Sequence, residues 1–342
     1  MNAKYMFSLV AVIVLFLLAY AGVEGAGLHV LFGILIPYAA IAVFTVGFVW
    51  RIVNWAQSPV PFRIPTTCGQ QKSLTWISPA AIDNPATNGA VVIRMILEIL
   101  LFRSLFRNLK FHFNEGNRFS YIWEKWLWLG ALAFHWAFLA VVIRHLRFFA
   151  EPVPFWVQWV EQLDSFFRVE FFTDFLQIGL PGIFLSGLVL LAAAVYLLLR
   201  RIIIPQVKYI SLAADFFPLF LIIGIALSGI AMRYFLKEDI VGIKEFTMGL
   251  VTFHPSIPAN VSGIFYVHLF FVSVLLAYFP FSKLMHLGGI FMSPTRNLAN
   301  NSRTQRHVNI WNYPVKVHTY EEYEEEFREK MIEAGLPVEK EL

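Results

Sequence analysis

Six long apolar stretches separated by polar segments set the pattern of this chain. The first covers roughly residues 4–22 and the second Leu28–Trp50. The third covers Lys125–Phe148, the fourth Gly179–Leu199, the fifth Ala213–Phe235, and the sixth runs from Val261 to about Met285. Each reaches or approaches the ~20 residues needed to cross a bilayer as a helix. The pattern predicts an all-α polytopic membrane protein with six transmembrane helices. Pro280 is expected to kink or end the sixth, because proline removes a helical N–H and crowds the preceding turn. Met6–Tyr20 is short for a span, and Ala19-Tyr20-Ala21 after it also suits a signal-peptidase site. An uncleaved first helix is the reading adopted here; cleavage stands beside it.

The segments between the spans differ in character. Residues 51–126 carry nine Lys/Arg and four acids. Within them, about 90–111 alternates apolar runs with Arg94, Glu98, Arg103, Arg107 and Lys110, which predicts an amphipathic helix lying in the interface plane. Residues 149–177 read as an acidic, aromatic loop and 236–260 as a mixed loop with Pro255 and Pro258. The tail is basic over 294–318, then carries nine Glu against three Lys/Arg over 319–342. The latter reads as a short acidic helix, either a solvated face or a docking segment for a cytoplasmic partner. The expected organisation is an N-terminal helix (1–27), a membrane domain (28–290) and a cytoplasmic tail (291–342).

Charge decides orientation. Only 15% of the 342 residues are charged, well below the ~25% of ordinary globular domains. With six spans, the side holding both termini carries 21 Lys/Arg and the other side six, so the positive-inside rule places both termini in the cytoplasm. The single cysteine, Cys68, excludes an intrachain disulfide, a covalently attached haem and a cysteinyl iron–sulfur cluster held by this chain alone.

The candidate chemistry lies in two histidine pairs: His135 and His145 in the third span, His268 and His286 in and just beyond the sixth. An ionisable side chain at membrane depth is costly and points to function. Neutral imidazole is a good iron ligand, and two axial histidines from facing helices suffice to hold a haem b without covalent attachment. The third and sixth spans run antiparallel, so the early histidine of one faces the late histidine of the other. The pairs are then His135 with His286 near the cytoplasmic side and His145 with His268 near the outer side. His135 and His145 are ten residues apart, about 15 Å along a helix, whereas His268 and His286 are 18 apart, about 27 Å if the helix were straight. The two separations do not match; helix tilt and the break expected near Pro280 each absorb part of the difference. His29, His112, His254, His307 and His318 fall in loops, ends or tail, where structural or solvent roles are expected; His254 is also a candidate for a quinol pocket. Arg144 and Arg147, beside His145, and Arg233, at the outer end of span five, suit haem propionates or a quinone carbonyl, or equally snorkelling to headgroups.

The spacings of ten and 18 between histidines resemble those of the γ (cytochrome b) subunit of respiratory nitrate reductase. That family has a five-helix core with haem ligands on its second and fifth helices, here spans three and six, with one helix added in front. The resemblance covers about residues 28–290. It implies that His135, His145, His268 and His286 are axial ligands of two haems b. The tail, with Met292-Ser293-Pro294-Thr295-Arg296-Asn297, Asn300-Asn301-Ser302-Arg303, Arg306-His307-Val308-Asn309 and Pro314-Val315-Lys316-Val317-His318-Thr319-Tyr320, resembles the DsrM family, the membrane cytochrome b of the sulfite-reduction-associated Dsr complex of sulfate reducers. This second resemblance implies a menaquinol-interacting subunit in dissimilatory sulfur metabolism. Its implied partners are a cytoplasmic iron–sulfur protein similar to heterodisulfide reductase, a periplasmic multihaem cytochrome c, a periplasmic ferredoxin-like subunit and a second membrane subunit. The nitrate reductase relatives use a lysine in the quinol site early in the helix after the first histidine pair; here Phe166–Leu180 offers Arg168, Glu170 and Asp174 and no lysine.

The expected function is electron exchange between the menaquinone pool and the cytoplasmic partner, with quinol oxidised near the outer haem and Glu170 or Asp174 a candidate proton acceptor. A membrane subunit of a heterodisulfide or nitrate reductase is the neighbouring alternative. A non-redox scaffold or transporter is the remote one, disfavoured by the lack of repeated halves with paired broken helices.

Overall fold

The computed structural model describes residues 3–58, 69–114, 118–165, 184–301 and 317–339, the side chains of 112–114 excepted. In chain order the elements are α1 (Ala3–Tyr20), α2 (Ile36–Ala56), α3 (Asn88–Leu101), α4 (Arg103–Phe106), β1 (Leu109–Asn114), β2 (Arg118–Trp123), α5 (Lys125–His145), α6 (Phe155–Ser165), α7 (Leu185–Ile203), α8 (Pro205–Ile210), α9 (Ala213–Ile230), α10 (Ile240–Val251), α11 (Gly263–Tyr278), α12 (His286–Gly289) and α13 (Tyr320–Glu333). Single π turns extend α1 to Gly25, begin α2 at Leu31 and extend α9 to Leu236. Among the described residues, six helical segments are long and apolar enough to span a membrane: Lys4–Gly25, Leu31–Ala56, Lys125–Phe148, Leu185–Ile203, Ala213–Leu236 and Gly263–Phe281. The protein is thus a mostly helical, multi-pass membrane protein.

Polar contacts at the two ends of the bundle fix the alternating direction of the spans. At the end holding the N-terminus, Lys4 Nζ donates to the Ser211 carbonyl at 3.1 Å, and Arg200 pairs with Glu124 at 3.2 Å. Lys283 pairs with Asp215 at 2.7 Å at the same end. At the opposite end, Glu24 Oε1 accepts from Gly263 N at 2.8 Å, and the Tyr234 hydroxyl accepts from Phe184 N at 2.8 Å. Glu24 and Glu238, which accepts from Ser262 N at 3.0 Å, place negative charge at the start of α11. Charge of that sign suits the positive end of a helix dipole. α11 is the most buried of the spans and sits centrally: Tyr266, Val267, Phe270 and Phe271 pack with Leu221 of α9, Phe246 of α10 and Phe32. Large apolar residues such as Phe7 and Val46 face outward, which is the favourable arrangement where the surroundings are lipid.

The segment before α5 departs from expectation. The helix expected over about 90–111 ends at Leu101, where Phe102 takes the left-handed conformation (φ 50°). After the short α4, β1 and β2 form an antiparallel hairpin with Leu109 opposite Trp123 and Phe111 opposite Tyr121. Period-2 alternation in Leu109-Lys110-Phe111-His112-Phe113 is the strand signal that the helical reading absorbed. α3 also buries its polar residues, Arg94 and Glu98, and exposes Val92, Ile93 and Ile96. Glu98 accepts from Ser104 Oγ at 2.7 Å and pairs with Arg296 at 3.1 Å, while Asp83 holds Arg103 at 2.7 Å and also Arg107. The last carbonyls of α3 are met by indoles of α5, Trp128 Nε1 to Leu101 at 2.7 Å and Trp136 Nε1 to Leu100 at 3.1 Å. Trp136 lies eleven residues into α5, about 16 Å along its axis, so the end of α3 reaches alongside the middle of that span.

Two further helices occupy segments expected to be loops. α6 lies within 149–177, and α10 lies within 236–260. α10 begins at Asp239, whose carboxylate accepts from Val241 N and Gly242 N, an ordinary N-cap. The fourth span was expected from Gly179. Residues 166–183 lie outside the described residues, Phe184 is extended, and α7 continues four residues past Leu199 to Ile203. Cys68, Arg168, Glu170, Asp174 and His307 also lie outside the described residues. The acidic tail helix is present as α13, opened by a capping box between Thr319 and Glu322.

Candidate functional site

The structure brings the four histidines of the two segments together as two pairs. His135 on α5 faces His286 at the start of α12, with ring centroids 5.8 Å apart and planes at 83°. His145 at the end of α5 faces His268 on α11, with centroids 6.3 Å apart and planes at 15°. The problem of unequal sequence spacing is met by a break. α11 continues for ten residues from His268 to Tyr278, matching the ten from His135 to His145. A 3-10 turn at Phe279–Phe281, an extended Ser282 and a second 3-10 turn at Lys283–Met285 then fold the chain over. Pro280 stands in the first of these turns. Two glycines allow the folded stretch to lie against α2: a Cβ on Gly47 would stand 2.8 Å from Pro280 Cβ, and one on Gly288 2.5 Å from Ile52 Cδ1.

All four rings are held through Nδ1. His135 Nδ1 lies 2.7 Å from the Ala131 carbonyl, His145 Nδ1 2.7 Å from the Val141 carbonyl, and His286 Nδ1 2.8 Å from the Lys283 carbonyl. A carbonyl only accepts, so Nδ1 carries the proton in each and Nε2 presents a lone pair. His268 Nδ1 lies 2.9 Å from Ser228 Oγ. That hydroxyl lies 2.8 Å from the Gly224 carbonyl and 3.0 Å from the Ile225 carbonyl, both of which only accept, so its single proton is directed to the backbone and its oxygen accepts from His268. Ser228 is a residue that sequence reasoning missed. A serine in an apolar helix is ordinary, and only the 40-residue-distant histidine gives it a role.

This donor set fits an axially ligated haem. Among the described residues no group of three or more His, Cys, Asp or Glu side chains could hold a bare metal ion. A haem needs two axial nitrogens, each with its other ring nitrogen anchored. Metal–imidazole bonds of about 2 Å put two axial ring centroids about 6 Å apart, the separation of both pairs. Aromatic rings flank the inner pair, Phe102 meeting His135 edge-on at 4.9 Å and Phe134 at 5.2 Å.

Three arginines lie near the outer pair. Arg144 Nε is 2.9 Å from Asp164 Oδ2, and Asp164 in turn accepts from Ser186 N at 2.8 Å and Ser186 Oγ at 2.6 Å. Arg147 pairs with Glu161. α6 thus supplies carboxylates to both arginines next to His145. Arg144 and Arg233 converge on the ring of Phe184, with Cζ 3.9 and 4.0 Å from its centroid. The remaining histidines are elsewhere: His29 Nδ1 meets the Gly27 carbonyl and its ring meets Tyr266 edge-on, His254 Nδ1 meets the Thr252 carbonyl, and His318 lies 3.7 Å from Glu326. His112 is on β1, opposite Ser120.

Comparison with known proteins gives the chain a family. Residues 94–307, which hold all four histidines, match the nitrate reductase gamma subunit family. The chain is 45% identical over 289 residues to the Hdr-like menaquinol oxidoreductase cytochrome b-like subunit of Archaeoglobus fulgidus, covering 82% of this chain and 83% of that protein. It is 40% identical over 284 residues to the protein of the same description from Archaeoglobus profundus, covering 81% of each. By sequence, this chain of six candidate spans belongs to the nitrate reductase gamma subunit family.

Proposed function

We propose that the protein is a di-haem cytochrome b that passes electrons between membrane menaquinol and a soluble iron–sulfur partner. What supports this reading is the pair of adjacent imidazoles, twice repeated, each with Nδ1 anchored so that Nε2 is the nitrogen left to bind a metal. His135 and His286 hold the inner haem and His145 and His268 the outer one. The two haems supply one-electron transfer across the bilayer. Menaquinol oxidation yields two electrons and two protons. Arg144 and Arg233 keep positive charge beside the outer pair, favourable to haem carboxylates or a quinone oxygen. Arg147 is turned to Glu161 and serves to hold α6 against α5.

In this reading both termini are cytoplasmic, in keeping with the Lys/Arg asymmetry. Residues 28–290 form the haem domain, and 291–342 a docking tail. The direction proposed is quinol oxidation, toward a heterodisulfide-reductase-like subunit, consistent with the description of the Archaeoglobus relatives. The tail motifs add the finer assignment to DsrM and dissimilatory sulfur metabolism, with a multihaem cytochrome c, a ferredoxin-like subunit and a second membrane subunit as further partners. The deciding measurement is a reduced-minus-oxidised spectrum of the purified protein with haem quantified per polypeptide. Two b-type haems are expected, falling to one in His145→Ala and to one in His135→Ala. A folded protein made with haem supplied that binds none would overturn the reading and favour a non-redox membrane role.

A further inference from the structure

At the amino-terminal end of the bundle a cleft of about 500 Å³ opens beside His286. Its walls come from three spans and the break after the last: Arg51 and Trp55 at the end of α2, Ala214 at the start of α9, Tyr278 at the end of α11, and Phe281 and Lys283 in the break that follows. The two cations are in different states. Lys283 is mostly exposed and already pairs with Asp215 at 2.7 Å. Arg51 lies with Cζ 5.3 Å from the Trp55 ring centroid, and its Nε is buried with no hydrogen-bond partner among the described residues. A guanidinium has five N–H donors in a planar fork suited to a carboxylate or phosphate, and leaving a buried donor unmet is unfavourable. A cleft with aromatic walls, a candidate ligating histidine on one side and on the other a guanidinium with one buried, unmet N–H has the chemistry of a site for a flat, mostly apolar molecule with an anionic edge.

We infer that Arg51 is the carboxylate-binding residue of the inner haem, holding the propionate edge of the group ligated by His135 and His286. This rests on the di-haem reading above and assigns the inner site a charge partner that the outer site takes from Arg144 and Arg233. The geometry of the break supports it. The same turn that returns His286 toward His135 also carries Lys283 to the mouth of the cleft, so ligand and cation arrive on one short segment. A positive charge at the propionate edge favours the reduced haem, whose iron carries one positive charge fewer. Arg51 is therefore a positioning and tuning residue, not a catalytic one.

The test is redox titration of each haem in the detergent-solubilised full-length protein, comparing wild type, Arg51→Gln and Arg51→Lys. The wild-type spectrum comes first: if it lacks the inner haem, the di-haem reading fails before the role of Arg51 is reached. With both haems present, Arg51→Gln is expected to lower the reduced-to-oxidised ratio of the inner haem about tenfold at fixed potential, a shift of about 59 mV for one electron. The outer haem should stay unmoved, and Arg51→Lys should recover most of the shift. An unchanged inner haem, or equal shifts at both haems, overturns the inference. Phosphate of a lipid headgroup has the same chemistry and is distinguished by delipidation. If stripping lipid from the wild type moves the inner haem as far as Arg51→Gln does, and the variant then adds nothing, the guanidinium serves a lipid and the inference falls.

Discussion

The two histidine pairs solve one problem in two ways. The outer pair stands on two regular helices, His145 in the last turn of α5 and His268 in the first half of α11, and its rings are nearly parallel. The inner pair stands on one regular helix and one broken one, and its rings are nearly perpendicular. At the outer pair a side chain, Ser228, fixes one ring; at the inner pair both rings are fixed by backbone carbonyls. The difference teaches that helix geometry alone places two ligands at equal depth only where the chain stays helical through both. Beyond Tyr278 the placement of His286 depends on proline, glycine and a pair of 3-10 turns.

The comparison is broken most directly at Pro280. Pro280→Ala restores the missing N–H and relieves the ~3 kcal/mol that proline costs inside a helix, so α11 is expected to extend. His286 would then be carried toward a point about 27 Å along the axis from His268, and haem per polypeptide should fall from two to one with the outer haem retained. Equal retention of both would show that the break does not place His286. A smaller effect is expected at the outer pair from Ser228→Ala. It leaves the Nδ1–H of His268 without its acceptor, at about 1–3 kcal/mol, and loss of such an anchoring contact commonly lowers metal affinity tenfold or more. Haem retention during dilution should fall for the outer site alone. The smallest effect belongs to Phe102→Ala, which removes an edge-on ring worth about 0.5–1.5 kcal/mol from His135. Thermal unfolding followed at the inner haem should report it, and the outer haem should not.

What the sequence made legible follows from what a bilayer punishes. Span three was read to its residue limits, and span five to within one residue, because an apolar run bounded by charge has few alternatives in lipid. The pairing of His135 with His286 and of His145 with His268 followed from counting spans, since direction alternates at each crossing. The break was legible in Pro280, but not its path, which depends on Gly47 of α2 meeting Pro280 and on Gly288 meeting Ile52 of α2, contacts between residues far apart in sequence. The segment from Asn88 to Trp123 was read least well. Its charges suggested a helix floating at the interface, whereas Arg94 and Glu98 turn inward to Asp83, Ser104 and Arg296, and the apolar face turns out. An amphipathic pattern gives a face and not the identity of what lies against it. Arg144 and Arg147 were candidates for a bound anion on proximity alone; α6, hidden in a segment read as loop, sets a carboxylate beside each.

The anchoring of the rings has a consequence for how the site tolerates mutation. At His135, His145 and His286 the contact that sets the proton's position is made by a main-chain oxygen, which every residue type supplies. No single codon change at Ala131, Val141 or Lys283 can delete it without unwinding the local turn. At His268 the same task falls to a hydroxyl that one codon change removes. Random mutagenesis screened for altered colour or redox behaviour should therefore return lesions at Ser228 where it returns none at the three corresponding positions, so heritable variation in the electronic properties of this protein is channelled into one of its two ends.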